Sequence, residues 1–338
     1  MSESVNKRKK ILKWITLGLI TGVLVIVPWF FRTFAFQNLM ITIFINITLA
    51  LSLWIMILAG EPSFGQSGFA AVGGYTTAIL TTRYGIEAWL TFPLGALVGM
   101  VVALLLGLVI AHLEGVFFMI TTFAFMSLLF GLTMNFRVPF GSADGIMGVP
   151  PPSGLAAVFG DLGIGFYFLA LILMVITILA TLAITQSRPG ILFQAIEENK
   201  ILSAHSGINV RKYKLQAMAI GCFFTGLAGS INACYMEQIC PYNFGFLQSL
   251  DIVLFCHVGG ISSIFGPITG AVVLTFLSLY FLALGPYRMI VYGGVLAIVI
   301  LLLRGGLISL PEIVTDLVKR FKKSKTKIDI AVEETEAM

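Results

Sequence analysis

The chain has 338 residues, 58% of them hydrophobic and only 11% charged, with a formal net charge of +5 and a mean hydropathy of +0.99. A soluble domain carries about 25% charged residues, so this composition excludes a water-soluble fold and predicts a polytopic membrane protein whose spans are themselves the domain. No basic patch is interleaved with aromatics, which argues against a nucleic-acid partner.

The charges are segregated. Of 37 Asp, Glu, Lys and Arg residues, six lie in 1–13, seven in 186–214 and thirteen in 304–338. The first apolar run, 14–31, follows the basic cluster Lys7, Arg8, Lys9, Lys10 and Lys13. It carries Pro28-Trp29-Phe30-Phe31 where a signal peptide would need small residues, so an uncleaved first span is expected.

Further runs at 38–59, 89–112, 115–135, 165–185, 213–236, 266–284 and 287–303 approach the roughly 20 residues a helix needs to cross a bilayer. Segments 66–82 and 249–264 are apolar but short or Gly-broken. The expectation is an all-α fold with 8–10 transmembrane helices over 14–303, Gly-rich broken segments and a polar segment at 186–214. Either even number puts both termini on one side. Under the ten-span count the basic residues of 1–13, 186–214 and 304–338 fall together, while the opposite loops carry single ones (Arg32, Arg83, Arg137, Arg288). The positive-inside rule places both termini and the polar segment in the cytoplasm, and the loop 136–164 outside.

Five stretches stand out in chain order. Gly60-Glu61-Pro62-Ser63-Phe64-Gly65-Gln66-Ser67-Gly68-Phe69 follows a span directly. Irregular backbone at membrane depth is tolerated where it is buried in protein or lines a cavity, so Glu61, Ser63, Gly65 and Phe69 are candidates for a translocation pathway or hinge; a turn with glycines for close helix packing is the alternative. Thr121 and Thr122 are further pathway candidates, although threonines in spans usually bond the carbonyl one turn back. In 136–164, Gly141–Gly145 and Pro150-Pro151-Pro152 are turn chemistry. The fourth stretch is the polar segment. Gly259 and Gly260 belong to the fifth, Val258–Pro267, which offers a second broken element. The likeness of Phe265–Gly270 to Phe64–Gly68, in corresponding places of the two halves, allows an inverted repeat, or chance in a chain with 35 glycines.

In the polar segment, Ser187-Arg188-Pro189-Gly190 stops the preceding span. Leu192, Ala195 and Ile196 then share a helical face, with Ile191 and Leu202 nearby and Asn199 interrupting the stripe. One or two short helices ending at Gly207 fit this pattern. They would lie on lipid or dock in a groove of a soluble partner.

Enzymatic chemistry has little support. No G-x-x-x-x-G-K-[ST] phosphate loop occurs, the histidines 112, 205 and 257 lack metal-ligand spacing, and no nucleophile elbow is present. No cofactor or metal is expected. Cys222, Cys234, Cys240 and Cys256 show no CxxC pairing and read as small apolar helix residues.

Gly190, Ala195-Ile196, Glu198-Asn199, Ala204 and Gly207-Ile208 resemble the cytoplasmic coupling motif of ABC-importer permeases, and most closely the branched-chain amino acid permease family of LivM type. Ser63–Phe69 with Gly73-Gly74-Tyr75, Gly141–Pro150, Gly226-Leu227-Ala228-Gly229 and Val258–Ala271 resemble further signatures of that family, in the same order over roughly 40–305. Ile191 stands where the family commonly has Arg, Glu197 replaces a frequent Arg, and Lys200 a frequent acid.

The resemblance implies a transmembrane subunit of a bacterial inner-membrane ABC importer for branched-chain or other small amino acids. Its permease domain would be 14–303. Partners would be a homologous permease in a heterodimer, two cytoplasmic ATPases and an external binding protein. Gly190, Ala195, Ile196, Glu197, Glu198, Asn199 and Gly207 would couple to the ATPases. Urea or short amides are alternative substrates. An ion-driven secondary transporter is the rival, with Glu61 or Asp251 as its ionisable group.

Overall fold

A computed structural model of the chain describes residues 22–28 and 33–281, together with 285, 287, 290, 291, 293, 294, 297, 306 and 307. The basic N-terminus 1–13, most of the expected spans 14–31 and 287–303, and nearly all of the tail 304–338 lie outside the described residues. The chain divides into two compact units, residues 1–253 and 254–338.

In the first unit the long helices are α1 (Phe34–Leu58), α2 (Gln66–Tyr84), α3 (Ala88–Ile110), α4 (Val116–Asn135), α5 (Leu162–Thr185) and α8 (Val210–Tyr235), with two short ones, α6 (Arg188–Glu198) and α7 (Lys200–His205), between α5 and α8. Five of these, α1, α3, α4, α5 and α8, are long and apolar enough to cross a membrane. The fold is therefore an all-α polytopic membrane protein.

Burial separates a centre from a rim. In its most apolar stretch α1 has 83% of its residues buried and α8 72%, whereas α3 and α4 have 33% and 22%. The outward apolar side chains of α3 and α4, such as Leu105, Val109, Phe117, Ile120 and Leu128, suit contact with lipid tails.

Segment 66–82 is not broken. α2 is one uninterrupted helix of 19 residues ending at Gly85 in the left-handed conformation (φ 63°). Its glycines serve packing instead: a Cβ on Gly73 would collide with the backbone of Gly226, and one on Gly229 with the backbone of Ala70. Close approach of α2 and α8 thus outweighs the low helix propensity of glycine, as small residues allow in membrane bundles. Segment 249–264 does break. In the second unit α9 (Phe246–Gly259), which begins in the first, stops at Gly259, and α10 (Phe265–Tyr280) follows.

The antiparallel helices give the first unit two ends. The α1–α2 turn, the α3–α4 turn and α6–α7 share one end. At the other, the loop 136–164 is tied down by a two-residue pairing of β1 (Ile146–Met147) with β2 (Gln238–Ile239). The Ser153 N–H also donates to Glu87 at 2.8 Å, Trp89 Nε1 to the Ser153 carbonyl at 3.0 Å and Arg83 to the Pro139 carbonyl at 2.8 Å. The loop is turn-rich as its composition predicts, but it includes one five-residue helix, Leu155–Phe159, held by burial of Leu155.

Candidate functional site: the polar segment and its ionic anchor

The polar segment is two helices meeting at Asn199. α6 starts with Pro189 in its first turn, where its missing N–H costs nothing. Gly190 follows because the chain doubles back tightly on α5: a Cβ there would collide with the Ile184 carbonyl. Asn199 has extended backbone angles, ends α6, and caps α7 by accepting from the Leu202 N–H at 3.0 Å. The Ser203 hydroxyl donates back to the Ala195 carbonyl at 2.8 Å, which fixes the angle between the two helices. Gly207 closes α7 in the left-handed region (φ 82°), with the Ile208 N–H returning to the Ser203 carbonyl at 3.1 Å.

One face of this pair is anchored and another is bare. Phe193 and Ile196 are 0% and 2% exposed. Phe193 packs with Ile55, Ala59 and Ala217, flanked by Ile184, Tyr213 and Ile220. Full burial of a Phe side chain contributes roughly 1.5–3 kcal/mol. In contrast Ile191, Ile201 and Leu202 are 61%, 73% and 64% exposed, and Glu197, Glu198 and Asn199 are exposed beside them. Of the sequence-predicted coupling residues, Ile196 therefore faces the bundle, Ala195 is half-buried, and Glu197, Glu198, Asn199 and Gly207 face outward. Leu192 and Ala195 do not form the buried stripe. Phe193 takes that place, three residues before Ile196 and so on the same helical face.

Sequence reasoning missed the ionic anchor. Glu61, in the α1–α2 turn and 4% exposed, is ion-paired with Lys214, 5% exposed in the first turns of α8. Lys200, at the start of α7, places its ammonium 3.9 Å from the same Glu61 oxygen and 2.7 Å from Glu114 in the α3–α4 turn. Two turns, α7 and the start of α8 thus meet at four charges of zero net sum. Glu61 is an isolated acid at the mouth of one apolar run, but Lys214 follows Arg211 and Lys212 at the mouth of another, so the sequence does not single out its partner. Arg211 adds a further tie by donating to the Leu108 carbonyl at 2.8 Å, in the last turn of α3 where a cation complements the helix dipole.

The pathway candidates divide into two groups. Ser63, Gly65, Phe69 and Thr122 come together where α2 meets α4. The Phe64 N–H donates to Thr122 Oγ1 at 3.2 Å, the Gly65 N–H donates to Ser63 Oγ at 3.1 Å, and a Cβ on Gly65 would sit 2.8 Å from the Thr122 carbonyl oxygen. Phe69 is 0% exposed and packs on Phe125, ring centroids 5.2 Å apart. Thr121 bonds the Phe117 carbonyl one turn back and points elsewhere. Gly259 and Gly260 lie in the second unit, where the end of α9 runs against the backbone of Gly266. The first unit also holds a buried polar cluster: Ser52 and Thr225 hydroxyls 2.7 Å apart, Gln66 Nε2 donating to Ser52 at 3.1 Å, and Ser67 and Ser249 hydroxyls 2.7 Å apart. Among the described residues no three His, Cys, Asp or Glu side chains group as metal ligands.

Residues 35–302 match the family described as branched-chain amino acid transport system / permease component. The chain is 27% identical to the high-affinity branched-chain amino acid transport system permease protein LivM of Escherichia coli, over 78% of this chain and 68% of that protein. It is 26% identical to the probable branched-chain amino acid transport permease protein LivH of Methanocaldococcus jannaschii, over 79% and 86%. It is also 25% identical to the galactose/methyl galactoside import permease protein MglC of Salmonella typhimurium, over 87% and 95%. No solved structure matches significantly.

Proposed function

The chain belongs to the branched-chain amino acid transport system permease component family, and from that membership we propose that it is the membrane subunit of an ATP-driven importer for branched-chain or other small amino acids. Its permease domain would be 14–303, in the bacterial inner membrane. The end carrying α6–α7, with 186–214 and both termini (1–13 and 304–338), would be cytoplasmic, and the loop 136–164 external. Arg188, Lys200, Arg211, Lys212 and Lys214 at one end, against single basic residues at the other, support this sidedness.

One observation carries the reading. α6 and α7 are clamped by Phe193 and Ile196 yet expose Ile191, Ile201 and Leu202 beside Glu197 and Glu198. A fixed helix pair with an apolar, charge-rimmed outer face suits a groove on a soluble ATPase. In this reading free energy enters mechanically: closure of two ATPases pushes on the segment, and the spans of this chain and a homologous permease exchange access. An external binding protein delivers the substrate. This chain makes and breaks no covalent bonds in that cycle.

The ion-driven rival is disfavoured because Glu61 is engaged by Lys214 and Lys200 at the end of the bundle, where a proton or ion relay would need a free group near the midplane. The substrate class rests on the amino-acid permeases among the relatives; the galactose permease is the counterexample, and urea or short amides remain the alternative. The experiment is uptake of labelled leucine, galactose and urea by cells with this chain and its partner subunits, with a protonophore present and ATP held constant. Leucine uptake that survives the protonophore is expected. Uptake abolished by it would reverse the assignment, and uptake of galactose or urea alone would reverse the substrate class.

A further inference from the structure

A push on α6 and α7 needs a route into the helices. α6 has an apolar one, through Phe193 and Ile196. α7 has no such footing, since Ser203 is its only buried residue and Ser203 bonds back to α6. Its direct tie to other turns is ionic: Lys200, immediately before the exposed Ile201 and Leu202, lies 2.7 Å from Glu114 and 3.9 Å from Glu61. Glu114 precedes Gly115 and α4. Glu61 lies four residues before Gly65 and α2, and is held from the other side by Lys214 of α8.

We propose that Lys200 is a positioning residue for energy coupling, whose ammonium makes α7 move as one body with the α3–α4 and α1–α2 turns. The proposal rests on the import reading above. α2 and α4 would then follow α7 because their leading turns are tied to it, and they meet each other at Thr122 and Gly65. Lys200 and Glu114 are 27% and 65% exposed, and pairs of that exposure add little to folding. At 2.7 Å they are well inside the roughly 8 Å screening length of physiological salt. The tie therefore directs motion more than it stabilises the fold, which separates it from Phe193.

The test uses the complete transporter in liposomes, with labelled leucine as the probe and uptake per ATP hydrolysed as the readout. Lys200→Met is expected to lower that ratio about fivefold, within the range of coupling between contacting residues, while the thermal unfolding midpoint and ATP hydrolysis hold. Lys200→Arg is expected to retain the ratio. Glu114→Gln should lower it too, and the double variant Lys200→Met/Glu114→Gln no further than Lys200→Met alone. In parallel, spin labels at the exposed positions Ser206 and His112 report the distance between α7 and the α3–α4 turn with and without ATP and vanadate. That distance should stay fixed in the otherwise unaltered chain and change on nucleotide binding in Lys200→Met. An unchanged ratio in Lys200→Met, or single effects that add in the double variant, overturns the tie while import stands. If the unaltered transporter hydrolyses ATP but takes up no leucine, the amino-acid substrate class fails and not the tie; the spin-label distances then decide the tie, and equal behaviour of the two chains overturns it.

Discussion

Glu61 and Lys214, each with a side chain 5% exposed, form an ion pair that joins the turn after α1 to the start of α8. Removing one partner of a buried pair leaves the other charge stranded, which costs about 3–5 kcal/mol, whereas an apolar pair in the same volume is often tolerated. Glu61→Met and Lys214→Met are each expected to lower the thermal unfolding midpoint of the purified protein sharply. The double variant should recover most of the loss. If the double variant is the sum of the singles, the two groups do not act as a pair.

Ile201 and Leu202 are expected to matter to binding and not to folding. Substitutions at exposed sites usually stay within about 0.5 kcal/mol of the parent, so Ile201→Glu and Leu202→Glu should fold normally. Co-purification of the ATPase subunits should be lost. Retained ATPase would move the docking face from α7 to α6.

Phe193→Ala tests the clamp itself. Truncating a buried Phe costs about 3–5 kcal/mol, and the loss should be local to α6 and α7. Limited proteolysis is expected to cut within 188–207 before any other site, while the unaltered chain resists. Cleavage appearing first in 136–164 would contradict the assignment of Phe193 as anchor.

At the opposite end the Ser153 amide, donating to Glu87, holds its carboxyl below the ordinary 4.5. A depressed carboxyl contributes attachment that is present above its ordinary value and is lost as pH falls through the lowered one. Trp89, which donates to the Ser153 carbonyl, should therefore keep constant fluorescence from pH 8 to about 5, as judged by difference from Trp89→Phe. Its signal should change only in more acid solution, and Glu87→Gln should remove that transition.

Much of the fold could be read from charge and hydropathy. The spans of α1, α3, α4, α5 and α8 fall on the long apolar runs, since each needs about 20 such residues whatever its neighbours are. α2 could not be read this way. Its Gly73 and Gly74 look like breaks until Gly226 and Gly229 of α8 are seen against them, a relation between residues about 150 apart in sequence. Within the polar segment, Asn199 was legible as an interruption but not as a cap, because a cap is a geometry and not a composition. The Glu61 partnership stayed hidden for the same reason: an acid at one span end does not say which of Lys200, Arg211, Lys212 or Lys214 it meets.

α8 has a consequence beyond packing. It is a single helix of 26 residues, about 39 Å long at about 1.5 Å per residue, with Lys214 near its first turn and β2 three residues past its end. The strand that clasps the loop 136–164 is thus mounted on the same rod whose foot is gripped by Glu61. A few degrees of tilt at the foot would become a lateral displacement of the clasp, so the two faces of the membrane share one lever.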